Sequence, residues 1–402
     1  MAADAGGGAG RGYGWVVAGA SATVNSLAWS VRSTFALFYV SLLAAFPWGR
    51  GEAALGYSLS WLFLLVFSPL AGWLYDRWGA RRVVPVGGVL LGAALALTGQ
   101  VTALWQYYVA FGVLGAAGVS CVMMPAAAIV SRWFVEQRGA ALGLISAGSS
   151  ASAIVFYPLN AWLIEALGWR PAFAVYGAVV AAVVALTALL YRERPAPEAP
   201  VGVAAPLDGP TLPVALRSHR FWAVFAMWAL GVIGYQIVTT HQVAHAVDRG
   251  FASATVAWVF GLGAVCTVAG NLLGGWLSDR WGRARVFALG SLIGIAGIVA
   301  LARVDAPDDL ALLMLYTACG LGFGMRISLL AAIPVDLFAG PRLGAILGLA
   351  NGGGGLGGFV GPFVGGWLFD ATGSYEIAFT AAALAIAGSA LAAWIATRHP
   401  SN

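Results

Sequence analysis

Two arginines and two histidines stand in stretches of chain that carry almost nothing else ionisable. Arg32 lies some two-thirds along the first long apolar run, behind Asn25, Ser26 and Trp29, and shares a helical face with Asn25 seven residues earlier. Arg326 lies deeper, in Gly322-Phe-Gly-Met-Arg-Ile-Ser328. An arginine at mid-bilayer costs about 2.5 to 3.5 kcal/mol on insertion scales, so one that persists faces a polar cavity. Two alternatives stay open: Arg32 can snorkel to an interface, and Arg326 can pair with backbone carbonyls or with Asp336. A guanidinium fork matches a planar carboxylate, so the chemistry these arginines offer is anion binding.

The histidines belong to Tyr235-Gln-Ile-Val-Thr-Thr-His-Gln-Val-Ala-His245. His241 and His245 lie one turn apart, where they could hydrogen-bond an anion or take a proton, and Tyr235, Gln236, Thr239 and Gln242 add polar groups to the same segment. Two histidines at this spacing also resemble a metal site, but no carboxylate lies near to complete it, so neither a metal site nor a metallohydrolase is expected. Two histidines near the end of a helix remain the plain alternative. Cys121, Cys266 and Cys319 sit singly in apolar runs without CxxC spacing, as small core residues do. No cofactor motif is present.

The elements that must hold these residues are membrane spans. The chain of 402 residues is 60% hydrophobic and 9% charged, where a soluble domain carries about a quarter charged residues, and its mean hydropathy is +0.85. Twelve runs are long enough to cross a hydrocarbon core of about 30 Å. They lie near residues 14–43, 53–75, 83–101, 104–130, 139–164, 171–191, 220–247, 254–277, 285–303, 309–335, 343–369 and 376–397. Residues 1–12 read as a disordered tail, 13–191 and 220–402 as two six-helix bundles, and 192–219, rich in proline and charge, as a flexible linker.

All 21 basic residues are arginine, and with the N-terminus in the cytoplasm fifteen fall on the cytoplasmic side against four outside. Both termini are then cytoplasmic. The formal charge of +5 therefore reports topology, and no nucleic-acid partner is implied.

The two bundles are copies. Gly72-Trp-Leu-Tyr-Asp-Arg-Trp-Gly-Ala-Arg-Arg82 recurs as Gly275-Trp-Leu-Ser-Asp-Arg-Trp-Gly-Arg-Ala-Arg285, eight of eleven positions identical at an offset of 203, and Gly139–Leu144 recurs as Gly344–Leu349 at 205. Six spans per copy make the repeats parallel, related by an axis along the membrane normal. At the 205 offset Arg326 corresponds to Cys121, and asymmetry at matched positions is what a single-substrate site between pseudo-symmetric halves would show.

The repeated block resembles the loop signature of the major facilitator superfamily. In that family Gly72, Asp76, Arg77, Gly79 and Arg82, with Gly275, Asp279, Arg280, Gly282 and Arg285, would latch the cytoplasmic side, the glycines allowing a tight turn and close helix approach. Three further segments resemble the monocarboxylate transporter and oxalate/formate antiporter branch: Tyr13-Gly-Trp-Val-Val17, Trp133–Ser149 and Asp336–Arg342. Ser146 and Ser149 of the second segment join the candidate substrate contacts. Arg32 falls within one position of that branch's first-span basic residue.

The resemblance implies an all-α membrane protein of twelve transmembrane helices in two pseudo-symmetric six-helix bundles. In it the first, fourth, seventh and tenth spans line a central cavity, where Arg32, Arg326 and the seventh-span cluster would meet. The implied function is alternating-access transport of a small organic anion, a monocarboxylate, by proton symport or anion exchange. The implied partners are that anion, protons and the lipid bilayer, with the protein acting as a monomer; the absence of lysine points to a GC-rich bacterial genome, and the expected setting is a bacterial inner membrane. Efflux of another small molecule is an alternative, and a non-transporting sensor or enzyme on the same scaffold another.

The chain departs from the branch in its eighth span, which lacks the Asp and Arg found there and has Asn271 as its strongly polar residue. It also lacks the eleventh-span lysine associated with oxalate exchange. Asn351 is followed by six glycines in seven residues, which predicts close helix packing or bending.

Overall fold

The computed structural model describes residues 7–134, 138–192, 210–338 and 343–398, and among them every regular element is helical. In order these are α1 (Gly7–Ser33), α2 (Phe35–Ala45), α3 (Arg50–Trp78), α4 (Ala80–Thr98), α5 (Leu104–Tyr107), a π-helical turn (Tyr108–Leu114), α6 (Gly115–Trp133), α7 (Arg138–Leu167), α8 (Trp169–Ala188), α9 (Leu212–Arg217), α10 (His219–Asp248), α11 (Ser253–Trp281), α12 (Arg283–Ala302), α13 (Leu310–Ala318), α14 (Gly320–Leu337), α15 (Leu343–Thr372) and α16 (Glu376–Thr397). Among the described residues ten continuous helical segments are long and apolar enough to cross a membrane. The fifth and eleventh expected spans coincide with α7 and α15, each 30 residues long. Large apolar side chains such as Leu272, Leu292 and Leu384 are exposed, the kind of apolar surface that a bilayer covers.

The repeat is visible in the backbone. Gly79 and Gly282 stop α3 and α11 and start α4 and α12 with φ of 75° and 87°, a left-handed conformation that a side chain disfavours. Gly168 and Gly373, also matched at 205, repeat the pattern with φ of 80° and 72°. Gly72 and Gly275, expected to bring helices together, instead face open space: a Cβ at either would meet nothing within 4 Å.

The chain forms two compact units that do not follow the two repeats. One contains residues 1–35 and 63–201, the other residues 36–62 and 202–402. In the first, α4 packs against α6 and α8, and α1 against α7; in the second, α12 against α14 and α16, and α10 against α15. The first span is interrupted at Thr34, one residue before the chain changes units. Inside the first unit that break is held by polar groups: Thr34 Oγ1 donates to the Ser30 carbonyl (2.8 Å), Asn160 Nδ2 donates to Thr34 Oγ1 (3.3 Å), and Ser30 meets the Tyr176 hydroxyl. Side-chain oxygens competing with the helical ladder in this way stabilise a bend.

The glycine-rich stretch is helical throughout. In α15, Gly353, Gly357 and Gly361 recur every four residues and press against backbone carbonyls of Phe225, Ala229 and Ile233 in α10. On another side of α15, Gly358 receives the Trp61 ring and Gly366 the backbone of Arg50. Close backbone approach on two sides explains why helix-disfavouring residues are used here.

Candidate functional site

Arg326 is carried by α14 and is 3% exposed. Its Nη2 donates to Ser389 Oγ of α16 (3.0 Å), and Ser389 donates in turn to the Met227 carbonyl of α10 (2.7 Å). Cζ stands 5.0 Å from the Phe287 ring centroid of α12. Gly231 and Gly290 make the space, because a Cβ on Gly231 would come within 2.9 Å of Nη2 and one on Gly290 within 3.2 Å of Arg326 Cγ. Nε is buried without a hydrogen-bond partner. No carboxylate among the described residues forms an ion pair with this guanidinium; Asp336, an expected partner, accepts from Arg283 Nε instead (3.0 Å). The guanidinium is thus directed among α10, α12 and α16, surrounded by neutral groups.

The first repeat fills the matched place differently. Gly87 corresponds to Gly290 and lies under Cys121 as Gly290 lies under Arg326. Phe287 and Ser389 correspond to Val84 and Val184, both fully buried. The ring face and the hydroxyl that accommodate a guanidinium exist in the second repeat alone.

In the first unit, Arg32 is 5% exposed near the end of α1, with Cζ 6.0 Å from the Trp29 ring centroid. Asn25 Nδ2 donates to Ser149 Oγ, which donates to the Ile145 carbonyl (3.0 Å), tying α1 to α7. The side chain of Ser146 lies outside the described residues.

The α10 cluster belongs to the second unit and is largely internally satisfied. Gln236 Nε2 donates to the Tyr57 hydroxyl (3.2 Å), the Tyr316 hydroxyl donates to Gln242 Oε1, and Thr239 Oγ1 donates to the Tyr235 carbonyl (2.9 Å). The Tyr235 ring meets Phe323 at 5.5 Å. His241 Nε2 lies 2.9 Å from the Pro362 carbonyl and His245 Nε2 lies 3.0 Å from the Leu301 carbonyl. A carbonyl only accepts, so each Nε2 carries a proton. His241 is thereby fastened to α15 and His245 to α12. His241 Nδ1 is 3.4 Å from the Tyr375 hydroxyl. Among the described residues no group of three His, Cys, Asp or Glu side chains could hold a metal ion.

The two copies of the loop motif link their helices with opposite polarity. In the first, Asp76 accepts from Arg132 of α6 (3.1 Å), whose Cζ stacks on Tyr75 at 4.6 Å. In the second, Arg283 bridges Asp279 (2.7 Å) and Asp336 of α14 (3.0 Å) and donates to Ser278 Oγ (2.6 Å). Arg77 and Arg280 lie over Trp73 and Trp276, while Arg82 and Arg285 are exposed.

Sequence reasoning passed over a clasp in the second unit where α3 begins. The Asp370 carboxylate of α15 accepts the first two amides of α3, from Arg50 N and Gly51 N, both at 2.8 Å. The Arg50 guanidinium pairs with Asp248 at the end of α10 (2.6 Å), donates to the Tyr375 hydroxyl (2.5 Å) and lies 3.9 Å from the Phe369 ring centroid. Tyr39 of α2 donates to the Arg50 carbonyl (2.9 Å). Burial outweighs the neighbouring Arg50 and raises the Tyr375 pKa, so this hydroxyl remains protonated. A repeated signal was available: Trp162-Leu-Ile-Glu165 recurs as Trp367-Leu-Phe-Asp370, with an acid closing each copy.

The family profile described as Major Facilitator Superfamily matches residues 18–252 and 241–402. Monocarboxylate transporter 11 of Mus musculus is 31% identical over 92% of this chain and 84% of its own length. Monocarboxylate transporter 13 of Bos taurus is 28% identical over 94% and 88%. Among solved structures, a bacterial homolog of the human lysosomal transporter Spinster, inward-facing and occupied, superposes with a TM-score of 0.78 at 13% identity, covering 96% of this chain and 97% of that one.

Proposed function

The chain belongs to the major facilitator superfamily, and on that premise we propose that it carries a small organic anion, a monocarboxylate, across the bilayer by alternating access. The observation that carries the anion is Arg326, a buried cation whose described partners are all neutral. Such a charge is costly for the fold alone. Its field reaches beyond contact distance: a unit anion about 8 Å away gains about 2 kcal/mol at an effective dielectric constant of about 20. Arg32, about two turns along α1 from the Asn25–Ser149 pair of the same unit, supplies the second positive group. Efflux of a cationic compound is the competing reading, and it would set the cargo's charge against Arg326.

In this proposal the carrier works as a monomer in a bacterial inner membrane with both termini cytoplasmic, and the energy source is proton symport or exchange of one anion for another. Purified protein in liposomes is expected to accumulate a labelled short monocarboxylate, and Arg326→Met and Arg32→Met are each expected to remove that uptake while the protein still inserts. Full uptake in both variants would sink the arginine site. A pH dye inside the liposomes separates the two energy sources, since symport acidifies the lumen and exchange does not.

A further inference from the structure

We propose that Asp370, acting with Arg50, is the gate-closing group of the transport cycle at the end of the spans where α3 begins. The inference rests on the alternating-access reading. Residues 36–62 belong by sequence to the first repeat and by packing to the second unit, so a motion that separates the repeats at this end must pull the start of α3 off α10 and α15.

The charged contacts that resist that motion are concentrated at Arg50 and Gly51. Asp370 caps the two leading amides of α3 with one oxygen each, which neutralises donors that otherwise lack a partner and places a negative charge at the positive end of the helix dipole. The same residue whose amide is capped sends its guanidinium to Asp248 and Tyr375. One short stretch of α3 is therefore gripped through its backbone by α15 and through its side chain by α10. Gly51 and Gly366 keep the two backbones in contact, so the carboxylate reaches the amides without an intervening side chain. These contacts are polar and partly exposed, Arg50 by 18% and Asp248 by 39%, so water can replace them when they part. That reversibility suits a gate better than an apolar seam would.

Among the described residues the matched helix start in the other repeat has no such device. Arg50 corresponds to Ser253 at the offset of 203, and α11 begins there with Ala252 as its cap and no side-chain hydrogen bond. Among the described residues the matched start of α11 lacks the clasp, which marks it as an addition to the repeat and not a by-product of its fold.

The test uses Ser58→Cys in a variant whose three native cysteines are replaced by serine or alanine. Ser58 is fully buried, accepts the Phe363 backbone N–H of α15 (3.1 Å), and lies about 12 Å along α3 from Arg50. A water-soluble maleimide reaches this thiol when α3 and α15 separate. Labelling of purified full-length protein is expected to accelerate at least about tenfold in Asp370→Asn and in Arg50→Gln, and to return near the parent rate in Asp370→Glu, which keeps the charge. Equal rates in all four proteins, with melting temperatures unchanged, would overturn the gate. Acceleration in Asp370→Glu as large as in Asp370→Asn would also overturn it, by showing that packing and not the charged cap holds the end closed. The labelling needs no substrate, so a failure to transport monocarboxylates would refute the proposed function and leave this measurement standing.

Discussion

Arg326 and Cys121 occupy the same place in two copies of one helical bundle, and they differ in the groups that face a side chain there. Each sits on a glycine of the neighbouring helix, Gly290 or Gly87. In the second repeat that site opens onto the Phe287 ring and the Ser389 hydroxyl; in the first the matched residues are Val84 and Val184. A buried guanidinium has thus been fitted with a cation–π partner and a hydrogen-bond acceptor, yet with no counter-charge among the described residues. The neighbours make the charge tolerable without neutralising it, and an un-neutralised buried charge remains available to an anion.

The comparison can be broken from either side. The largest effect is expected from Cys121→Arg, which puts a guanidinium among valines and costs about 3 to 5 kcal/mol, the scale of an uncompensated buried charge; adding Val184→Ser should return about 1 kcal/mol through one hydrogen bond. Denaturation of the purified variants measures both. Next is Arg326→Met, which removes an isolated charge and keeps the volume. Its melting temperature should rise, consistent with about 1 to 4 kcal/mol of stabilisation, in the same preparation that loses uptake. A fall in stability together with loss of uptake would assign Arg326 a structural role. The smallest effects belong to the loop copies. Asp76→Asn and Asp336→Asn should each cost no more than about 1 kcal/mol, because the pairs with Arg132 and Arg283 are exposed, and the difference from wild type should shrink in high salt.

The sequence carried the spans and their duplication because both are written in local pattern: apolar length, and a loop block repeated at a fixed offset. The positive-φ glycines Gly79 and Gly282 were legible for the same reason, as motif glycines at a turn. Three things were not. Close packing was expected both in the glycine run after Asn351 and at Gly72 and Gly275; it is found at Gly353 and Gly357 of the run and not at Gly72 or Gly275, because motif membership does not say which face of a helix meets a neighbour. The burial of Arg326 among α10, α12 and α16 depends on Ser389 and Met227, which are 63 and 99 residues distant in sequence. The clasp joins Arg50 to Asp370 across 320 residues, and its acids lie at helix ends, where a charge is unremarkable in sequence.

The interruption at Thr34 means that the gene's two halves do not encode the protein's two halves. A polypeptide cut in the segment between the repeats would leave the first fragment owning residues 36–62, which pack in the second unit. The second piece would lack part of its own unit. Expressed together they would have to find one another through a one-way loan of residues 36–62, and successful complementation would require the second fragment to receive that segment in the membrane.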